Sequence, residues 1–431
     1  MTSEIIQTRL PNGMQVMLKE IHNAPIVSHW VWYRVGSRDE IPGLTGISHW
    51  VEHMQFKGTP AHPEGSLDQA ISRVGGVWNA FTYLDWTTFF ETLPYDQLEL
   101  AMEAEADRMV NAIYDPQEVA SERTVIISER EGSENEPLFR LGEAIAAAAF
   151  RSHPYRNEVV GSKEDLHRIQ RDDLYRHYRT HYIPNNAVLC VAGDFESSPV
   201  LDRLAEIYRD IPAGDPPPHP AQPEEPADGE QRVVVTGPGE TTFIELTYHS
   251  PAASDPDFFP FTVLDSLLTG PTSLNMFGGG GVTNKTSRLY RAVVENELAV
   301  SVHGGLQATI DPFLYGIDLT LRPGREVDAL VQAVEDEINR LQDDPVSADE
   351  VARAIKQARA LFAYGSENIT NQGFWLGYAE MFAQYEWFTH YVERLAEVTP
   401  ADVQRMAQKY LGANRRITGI YLPGETSEVS A

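Results

Sequence analysis

Residues 46–60, GISHWVEHMQFKGTP, carry side chains whose types and spacing could bind a metal ion. His49, Glu52 and His53 form the pattern H-x-x-E-H. On a helix, residues at i, i+3 and i+4 share a face, so these three side chains would project together. Two imidazoles can hold zinc, and the glutamate could take a proton from the attacking water. The pattern indicates zinc-dependent hydrolysis; the alternative is a surface helix that carries two unrelated histidines.

A short helix is needed to position these side chains. Gly46 and Gly58 bound the segment, and Ser48 is available as a helix cap. We therefore predict a helix between the two glycines.

A third ligand should come from the segment ASERTVIISEREGSENEP, residues 120–137. Glu122 and Glu129 are seven residues apart, which is two helical turns, on a helix whose apolar positions are Val125, Ile126 and Ile127. One carboxylate could reach the metal while the other orients a ligand from behind. The alternative is that both are ordinary solvated glutamates.

The segment VWNAFTYLDWTTFFETLP, residues 77–94, predicts a β-hairpin with a turn near Leu84 and Asp85. If the first strand is a free edge beside the metal, an extended peptide could pair with its main chain. The candidate substrate-binding residues are Asn79, Ala80, Phe81 and Thr82. The alternative is an ordinary core hairpin.

A proline-rich stretch divides the chain into two similar halves. PAGDPPPHPAQPEEP cannot form a helix or a central strand and predicts an extended linker. The halves end alike, in DLYRHYRTHYIPNNAVLCVAGD and DVQRMAQKYLGANRRITGIYLPG, which indicates duplication. We predict two homologous α+β domains, each a mixed sheet covered by helices, at residues 1–212 and 231–431 with the linker at 213–230. Only the first has the histidine pair.

Composition excludes several classes of function. The chain has 34 Lys and Arg against 63 Asp and Glu, a net charge of -29, which argues against nucleic acid as a partner. If the carboxylates line a cavity, they would attract basic peptides; the alternative is a solvated acidic surface that keeps the protein soluble. No apolar run is long enough to span a membrane. The N-terminus lacks a signal-like pattern, so we expect a cytoplasmic protein, with the periplasm as the alternative if a signal peptide was removed. The single cysteine, Cys190, predicts a buried thiol.

A glycine-rich stretch offers a rival enzymatic interpretation. GGGVTNKT, residues 279–286, imitates a phosphate-binding loop, but Asn284 stands where that motif has its last glycine. A flexible glycine-rich loop is the favoured interpretation over an NTPase.

With these motifs the chain resembles the pitrilysin and insulysin group of zinc peptidases. Within that group it is similar to the half-length subunits of the mitochondrial-processing-peptidase type. The H-x-x-E-H motif is typical of this class. The resemblance extends over nearly the whole chain, in RLPNGMQVMLKE (9–20), GSRDE (36–40), TGISHWVEHMQFKGT (45–59), NAFTYLDWTTFF (79–90), SERTVIISE (121–129), YIPNNAVLCVAGDF (182–195) and SRLYR (287–291).

The resemblance assigns a role to each site residue. It implies that His49, His53 and Glu129 bind one zinc ion per chain, that Glu52 is the general base, and that Glu122 supports the ligands. It also implies that two homologous α+β domains close, with those of a second subunit or half, around a chamber for unfolded peptides, and that residues 79–82 pair with the substrate.

The second half departs from the family pattern. Self-sufficient members carry an Arg and a Tyr that clasp the substrate carbonyl, whereas SRLYRAVVENELAVSV has Val293 or Val294 and Val300 at those positions. We expect the catalytic subunit of a heterodimer whose homologous partner supplies the Arg/Tyr pair. The alternatives are a self-sufficient homodimeric zinc peptidase and a non-catalytic assembly subunit of the same fold.

Overall fold

The computed structural model describes residues 5–219, 224, 229–274 and 283–424. Within these residues, the chain folds into two mixed β-sheets that are covered by helices. No helix in the described part of the chain combines the length and the apolar composition needed to cross a membrane. The predicted α+β class is confirmed.

The first sheet has six strands in the order β1-β2-β6-β3-β5-β4. Its strands are β1 (Ile5–Arg9), β2 (Gln15–Glu20), β3 (Ile26–Tyr33), β4 (Val77–Thr82), β5 (Thr87–Pro94) and β6 (Ala187–Gly193). β2 runs parallel to β6, and the other neighbours are antiparallel. β4 lies at an edge of this sheet and pairs with β5 alone among the described strands.

The second sheet has five strands in the order β7-β11-β8-β10-β9. Its strands are β7 (Gln231–Gly237), β8 (Phe243–Ser250), β9 (Ala299–Gly305), β10 (Phe313–Leu321) and β11 (Ile417–Pro423). β7 and β11 are parallel, and the other neighbours are antiparallel. Apart from β1, this is the strand order and direction of the first sheet, as duplication predicts.

Fifteen α-helices lie in the described residues. They are α1 (Ile47–Met54), α2 (Ser66–Arg73), α3 (Leu98–Asn111), α4 (Pro116–Ser133), α5 (Pro137–Ala149), α6 (Lys163–Arg168), α7 (Arg171–His181), α8 (Ser197–Ile207), α9 (Phe258–Leu268), α10 (Val327–Asp343), α11 (Ala348–Tyr364), α12 (Ile369–Phe382), α13 (Tyr385–Thr389), α14 (Tyr391–Ala396) and α15 (Pro400–Tyr410). α1, α3, α7 and α8 contribute to the core that packs on one face of the first sheet.

The compact units of the fold do not coincide with the two halves of the sequence. The first unit comprises residues 1–130, 157–221 and 366–388, and the second comprises residues 131–156, 222–365 and 389–431. Each half therefore gives one segment to the unit built mainly from the other half. The sequence analysis did not predict this exchange, and the boundaries at residues 212 and 231 stay a prediction.

Glycines allow each exchanged helix to pack closely on its sheet. In the first unit, Gly373 and Gly377 of α12 lie against the indoles of Trp30 and Trp32, where any Cβ would overlap the ring. In the second unit, the relation is reversed, because α5 packs its side chains on Gly419 of β11. Close approach of helix and sheet buries more apolar surface from water.

Only parts of the predicted linker belong to the described residues. In the first unit, His219 Nδ1 lies 3.0 Å from Asp39 Oδ1. In the second unit, Glu224 accepts a hydrogen bond of 2.9 Å from the backbone N–H of Ser152. Residues 220–223 and 225–228 lie outside the described residues. Cys190 is buried in β6, as predicted.

Candidate metal centre and peptide-binding edge

The histidine motif lies on α1, a helix of eight residues. The predicted cap was wrong, since Ser48 lies inside the helix and Gly46 precedes it with a positive φ of 86°. The first turn is instead capped by Glu40, whose carboxylate accepts hydrogen bonds from the backbone N–H groups of Gly46 at 2.8 Å and Ser48 at 2.9 Å. A carboxylate at a helix N-terminus accepts hydrogen bonds from backbone N–H groups that have no partner within the helix. It also interacts favourably with the positive end of the helix dipole.

His49 and His53 lie one helical turn apart, and their side chains converge. Their Nε2 atoms are 3.2 Å apart. The side chains are 19% and 17% exposed, so solvent reaches only one part of the pair. Burial, followed by the neighbouring His53, lowers the pKa of His49 to about 3, which keeps that imidazole neutral. A neutral imidazole has the lone pair that a metal ligand needs.

The two glutamates of α4 reach the histidines at different atoms. Glu122 Oε1 lies 2.8 Å from His53 Nδ1, on the far side of the ring. Glu129 Oε2 lies 3.7 Å from His53 Nε2 and 4.0 Å from His49 Nε2. The hydrogen bond from His53 lowers the pKa of Glu122 to about 2. The contact with Glu122 favours a proton on His53 Nδ1, and Nε2 is the ring nitrogen that faces His49 and Glu129.

The three groups fit a metal ion. One ligand atom each from His49, His53 and Glu129 lies within 4.8 Å of the others, the only such group of His, Cys, Asp or Glu in the described part of the chain. His49 Nδ1 is buried, and no hydrogen-bond partner for it lies among the described residues. Two imidazoles and one carboxylate form a donor set typical of catalytic zinc, which leaves an open coordination position.

Glu52 lies on the same face of α1 as the two histidines, and its carboxylate contacts β4. Its Oε2 accepts a hydrogen bond of 2.6 Å from Thr82 Oγ1. Burial, opposed by that hydrogen bond, raises the pKa of Glu52 to about 7. A carboxylate with a pKa near neutrality is a stronger base than a solvated one, so the geometry suits proton transfer.

β4 carries the candidate peptide-binding residues at an edge of the sheet, with β5 as its one strand partner among the described residues. Asn79 is exposed, Phe81 and Thr82 are half-buried, and Ala80 is buried. The predicted hairpin is present, with residues 83–86 joining β4 to β5. β4 is an edge strand, as substrate pairing would need, and the binding role of residues 79–82 stays a prediction.

A cleft of about 390 Å³ lies beside β4 in the first unit. Phe56 and Trp78 line it, with ring centroids 4.8 Å apart. The buried Arg108 also lines it, and it forms ion pairs with Glu91 and Glu105. The cleft therefore combines aromatic surface with a charge-paired arginine beside the candidate binding strand.

The valines of the second half occupy two environments. Val293 is buried in a short helical turn, Tyr290–Val294, and Val300 on β9 is 56% exposed. Neither valine has a side-chain hydrogen-bond donor. The glycine-rich stretch 279–286 lies partly outside the described residues, which exclude 275–282.

Two residues that support the site were missed, and a third has a contact that was not predicted. Glu40 caps α1, and Lys57 Nζ lies 2.8 Å from Glu122 Oε2. Thr82, a predicted substrate-binding residue, donates a hydrogen bond from its side chain to Glu52. Lys57 follows His53 by four residues but lies beyond the end of α1 at Met54, so helical spacing gave no signal for its contact with Glu122. Glu40 had no sequence signal either, because a loop brings it to the helix.

Two protein-family models match the chain. The model described as insulinase, peptidase family M16, matches residues 15–163. The model described as the peptidase M16 inactive domain matches residues 168–358. The first match contains the histidine motif, Glu122 and Glu129, and the second contains the valine positions.

Individual relatives match over most of their lengths. The chain is 27% identical to an uncharacterized zinc protease of Streptomyces coelicolor, covering 94% of this chain and 87% of that one. It is 26% identical to a probable mitochondrial-processing peptidase subunit beta of Arabidopsis thaliana, covering 94% and 76%. The solved structure of a protease from Helicobacter pylori covers 98% of this chain and 100% of its own with a TM-score of 0.88; at 24% identity, it establishes the fold alone.

Proposed function

Because the chain belongs to peptidase family M16, the insulinase family, as a half-length, pitrilysin-like member, we propose that it is a zinc metalloendopeptidase subunit that hydrolyses unfolded peptides. The observation that carries this proposal is the convergence of His49 Nε2, His53 Nε2 and the Glu129 carboxylate beside the buried Glu52. A purely structural helix has no need of this arrangement.

In this proposal, His49, His53 and Glu129 hold one zinc ion per chain. A zinc ion with three protein ligands supplies Lewis-acid chemistry, which makes water nucleophilic near neutral pH. Glu122 keeps the proton on His53 Nδ1, so that His53 offers its other nitrogen as a ligand.

Glu52 is the proposed general base. Thr82 occupies its Oε2, so Oε1 remains to take the proton from the attacking water. The same residue can then deliver that proton to the leaving amine. Burial supports this role, because the raised pKa of Glu52 lies near the pH at which the enzyme would work.

The edge strand β4 is the proposed substrate-binding element. An extended peptide can form main-chain hydrogen bonds with residues 79–82, since this edge has no other strand partner in the described structure. The Thr82 hydroxyl lies at the same end of β4 as Glu52. Binding at this edge would therefore place a peptide bond beside the base.

We further propose that the active assembly is a heterodimer. Valine at 293, 294 and 300 cannot stabilise the negative charge that develops on the substrate oxygen, and such donors are commonly worth about 10² to 10³ in rate. A homologous subunit that carries an Arg/Tyr pair would supply them. The similarity to a protein named as a processing-peptidase beta subunit supports a paired assembly.

The experiment is to measure peptide hydrolysis by this chain alone, by its homologous candidate partner alone, and by the mixture. We expect activity chiefly in the mixture, loss of activity on chelation, and recovery on adding zinc. Full activity of this chain alone, with no gain from a partner, would favour the homodimeric alternative. Zinc binding without hydrolysis under any of these conditions would favour a non-catalytic assembly subunit.

A further inference from the structure

A lysine lies behind the candidate metal centre, outside the predicted set of site residues. Lys57 follows α1, and its side chain is 18% exposed. Its Nζ lies 2.8 Å from Glu122 Oε2, while the other oxygen of Glu122 lies 2.8 Å from His53 Nδ1. These contacts form a continuous chain from an ammonium group, through a carboxylate, to an imidazole.

We propose that Lys57 is a positioning residue for the metal centre. It holds Glu122 where that carboxylate orients His53, and it prevents Glu122 from becoming a metal ligand itself. This inference rests on the proposed zinc site, and it concerns the division of roles between the two glutamates of α4.

The environments of the two glutamates support this division. Glu122 is 7% exposed and has both oxygens engaged, one with Lys57 and one with His53. Glu129 is 45% exposed, and its ion-pair contacts in the described structure are with His49 and His53. A carboxylate neutralised by an ammonium group is a poorer metal ligand, whereas an unneutralised one is a good ligand. Lys57 thus selects Glu129.

The position of Lys57 is itself fixed. Glu64 Oε1 lies 3.0 Å from its Nζ, and Glu118 Oε2 lies 3.8 Å from it. Its backbone N–H donates to Met54 at the end of α1. The next residue is Gly58, which has a φ of 89° and would meet the Glu64 backbone if it carried a Cβ. The ammonium group is therefore placed by the turn and by three carboxylates.

The test is the zinc dissociation constant of the full chain, measured by competition with a chromophoric chelator. Lys57→Met should weaken zinc binding by about tenfold or more, as expected for loss of a residue that supports a ligand. Lys57→Arg should restore most of the affinity, because it keeps the charge. Lys356→Met, which removes an exposed lysine from α11, is the matched control and should bind zinc like the wild type.

A double variant separates positioning from a general structural effect. If Lys57 acts through Glu122, Lys57→Met combined with Glu122→Gln should bind zinc no more weakly than Glu122→Gln alone. Additive losses in the double variant, or wild-type affinity in Lys57→Met, would overturn the proposal.

Nitrogen NMR of the histidine rings gives a readout that does not need zinc. In the metal-free wild type, His53 should carry its proton on Nδ1, and Lys57→Met should shift the ring toward a mixture of tautomers. An unchanged His53 signal would count against Lys57. If the wild type binds no zinc, the proposed function fails, whereas the tautomer measurement still tests the lysine.

Discussion

Helices in equivalent places of the two sheets carry different chemistry. α1 follows β3 and α9 follows β8, and those strands hold equivalent positions in their sheets. Each helix leads into a glycine of positive φ, Gly58 at 89° and Gly270 at 105°. Counting back five residues from each glycine aligns His53 with Asp265. The same scaffold therefore presents a histidine in one half and a carboxylate in the other.

The hydrogen bonds of these two residues explain the difference. Asp265 is buried and accepts hydrogen bonds from Thr269 Oγ1 at 2.6 Å and from the Tyr315 hydroxyl at 2.8 Å. His53 donates to Glu122 on one side only, and its other nitrogen faces His49 across 3.2 Å. A closed set of hydrogen bonds stabilises a fold, whereas converging lone pairs need a ligand.

Removing both histidines should have the largest effect and abolish the difference between the halves. His49→Ala combined with His53→Ala takes away two of three ligands, so zinc should fall from about one ion per chain to background. Elemental analysis of the purified protein measures this. His303→Ala, which removes an exposed imidazole from β9, is the control and should keep its zinc. Full zinc occupancy in the double variant would contradict the assignment.

Glu52→Gln should separate chemistry from metal binding. Glutamine keeps the size of the side chain but cannot accept the proton, so peptide hydrolysis should fall by at least about 10² while zinc stays bound. Glu129→Gln, by contrast, should weaken zinc binding. Turnover and zinc content are measured on the same samples. Normal turnover of Glu52→Gln at wild-type zinc content would remove Glu52 from the mechanism.

In the second half, Asp265→Asn should change stability and not zinc binding. Burial, opposed by the hydroxyl hydrogen bonds, raises the pKa of Asp265 to about 6, against about 3.9 in an unfolded chain. Between these values the unfolded chain binds fewer protons than the folded chain, so stability falls as the pH rises. The wild type should lose about 3 kcal/mol relative to the variant between about pH 4 and pH 6, and no more above that range.

Urea denaturation of both proteins across that pH range measures this difference, since ionisable groups common to both cancel. A difference that is independent of pH would show that Asp265 has the same protonation in the folded and unfolded chains. Loss of zinc from Asp265→Asn would break the proposed contrast between the halves.

Thr82→Val should reduce the rate of peptide hydrolysis less than Glu52→Gln does. The Thr82 hydroxyl donates to Glu52 at 2.6 Å, and a hydrogen bond to a charged group is worth about tenfold in an equilibrium or rate. We expect kcat to fall by about tenfold with zinc content unchanged. Thr82→Ser should recover most of the loss, because it restores the donor. A fall in Thr82→Ser as large as that in Thr82→Val would mean that packing of the methyl group matters instead.

Local patterns of sequence were sufficient for the parts of the fold that depend on neighbouring residues. The spacing of His49 and His53 predicts α1, the aromatic hairpin predicts β4 and β5, and the repeated endings predict that β6 and β11 are equivalent. Each of these features depends on residues within about two helical turns or one hairpin.

Long-range packing accounts for what the sequence did not show. α12 packs on the first sheet because Gly373 and Gly377 accommodate Trp30 and Trp32, and no local pattern connects residues so far apart. The cap that Glu40 provides for α1 depends on a loop conformation. On α4, only Ile126 of the three apolar residues at 125–127 is fully buried, because the face of a helix is selected by what it packs against.

The smallest expected effect is that of the net charge of the protein on the choice of peptide substrate. With a net charge of -29, we expect basic peptides to be attracted toward acidic surface that includes Glu64 and Asp68 beside the cleft. At low salt, basic peptides should be cleaved a few-fold faster than acidic peptides of equal length, and about 1 M salt should remove the advantage, since it shortens the screening length to about 3 Å. Rates measured over a salt series decide this. Equal rates at every salt concentration would mean that the acidity serves solvation of the surface and has no part in substrate choice.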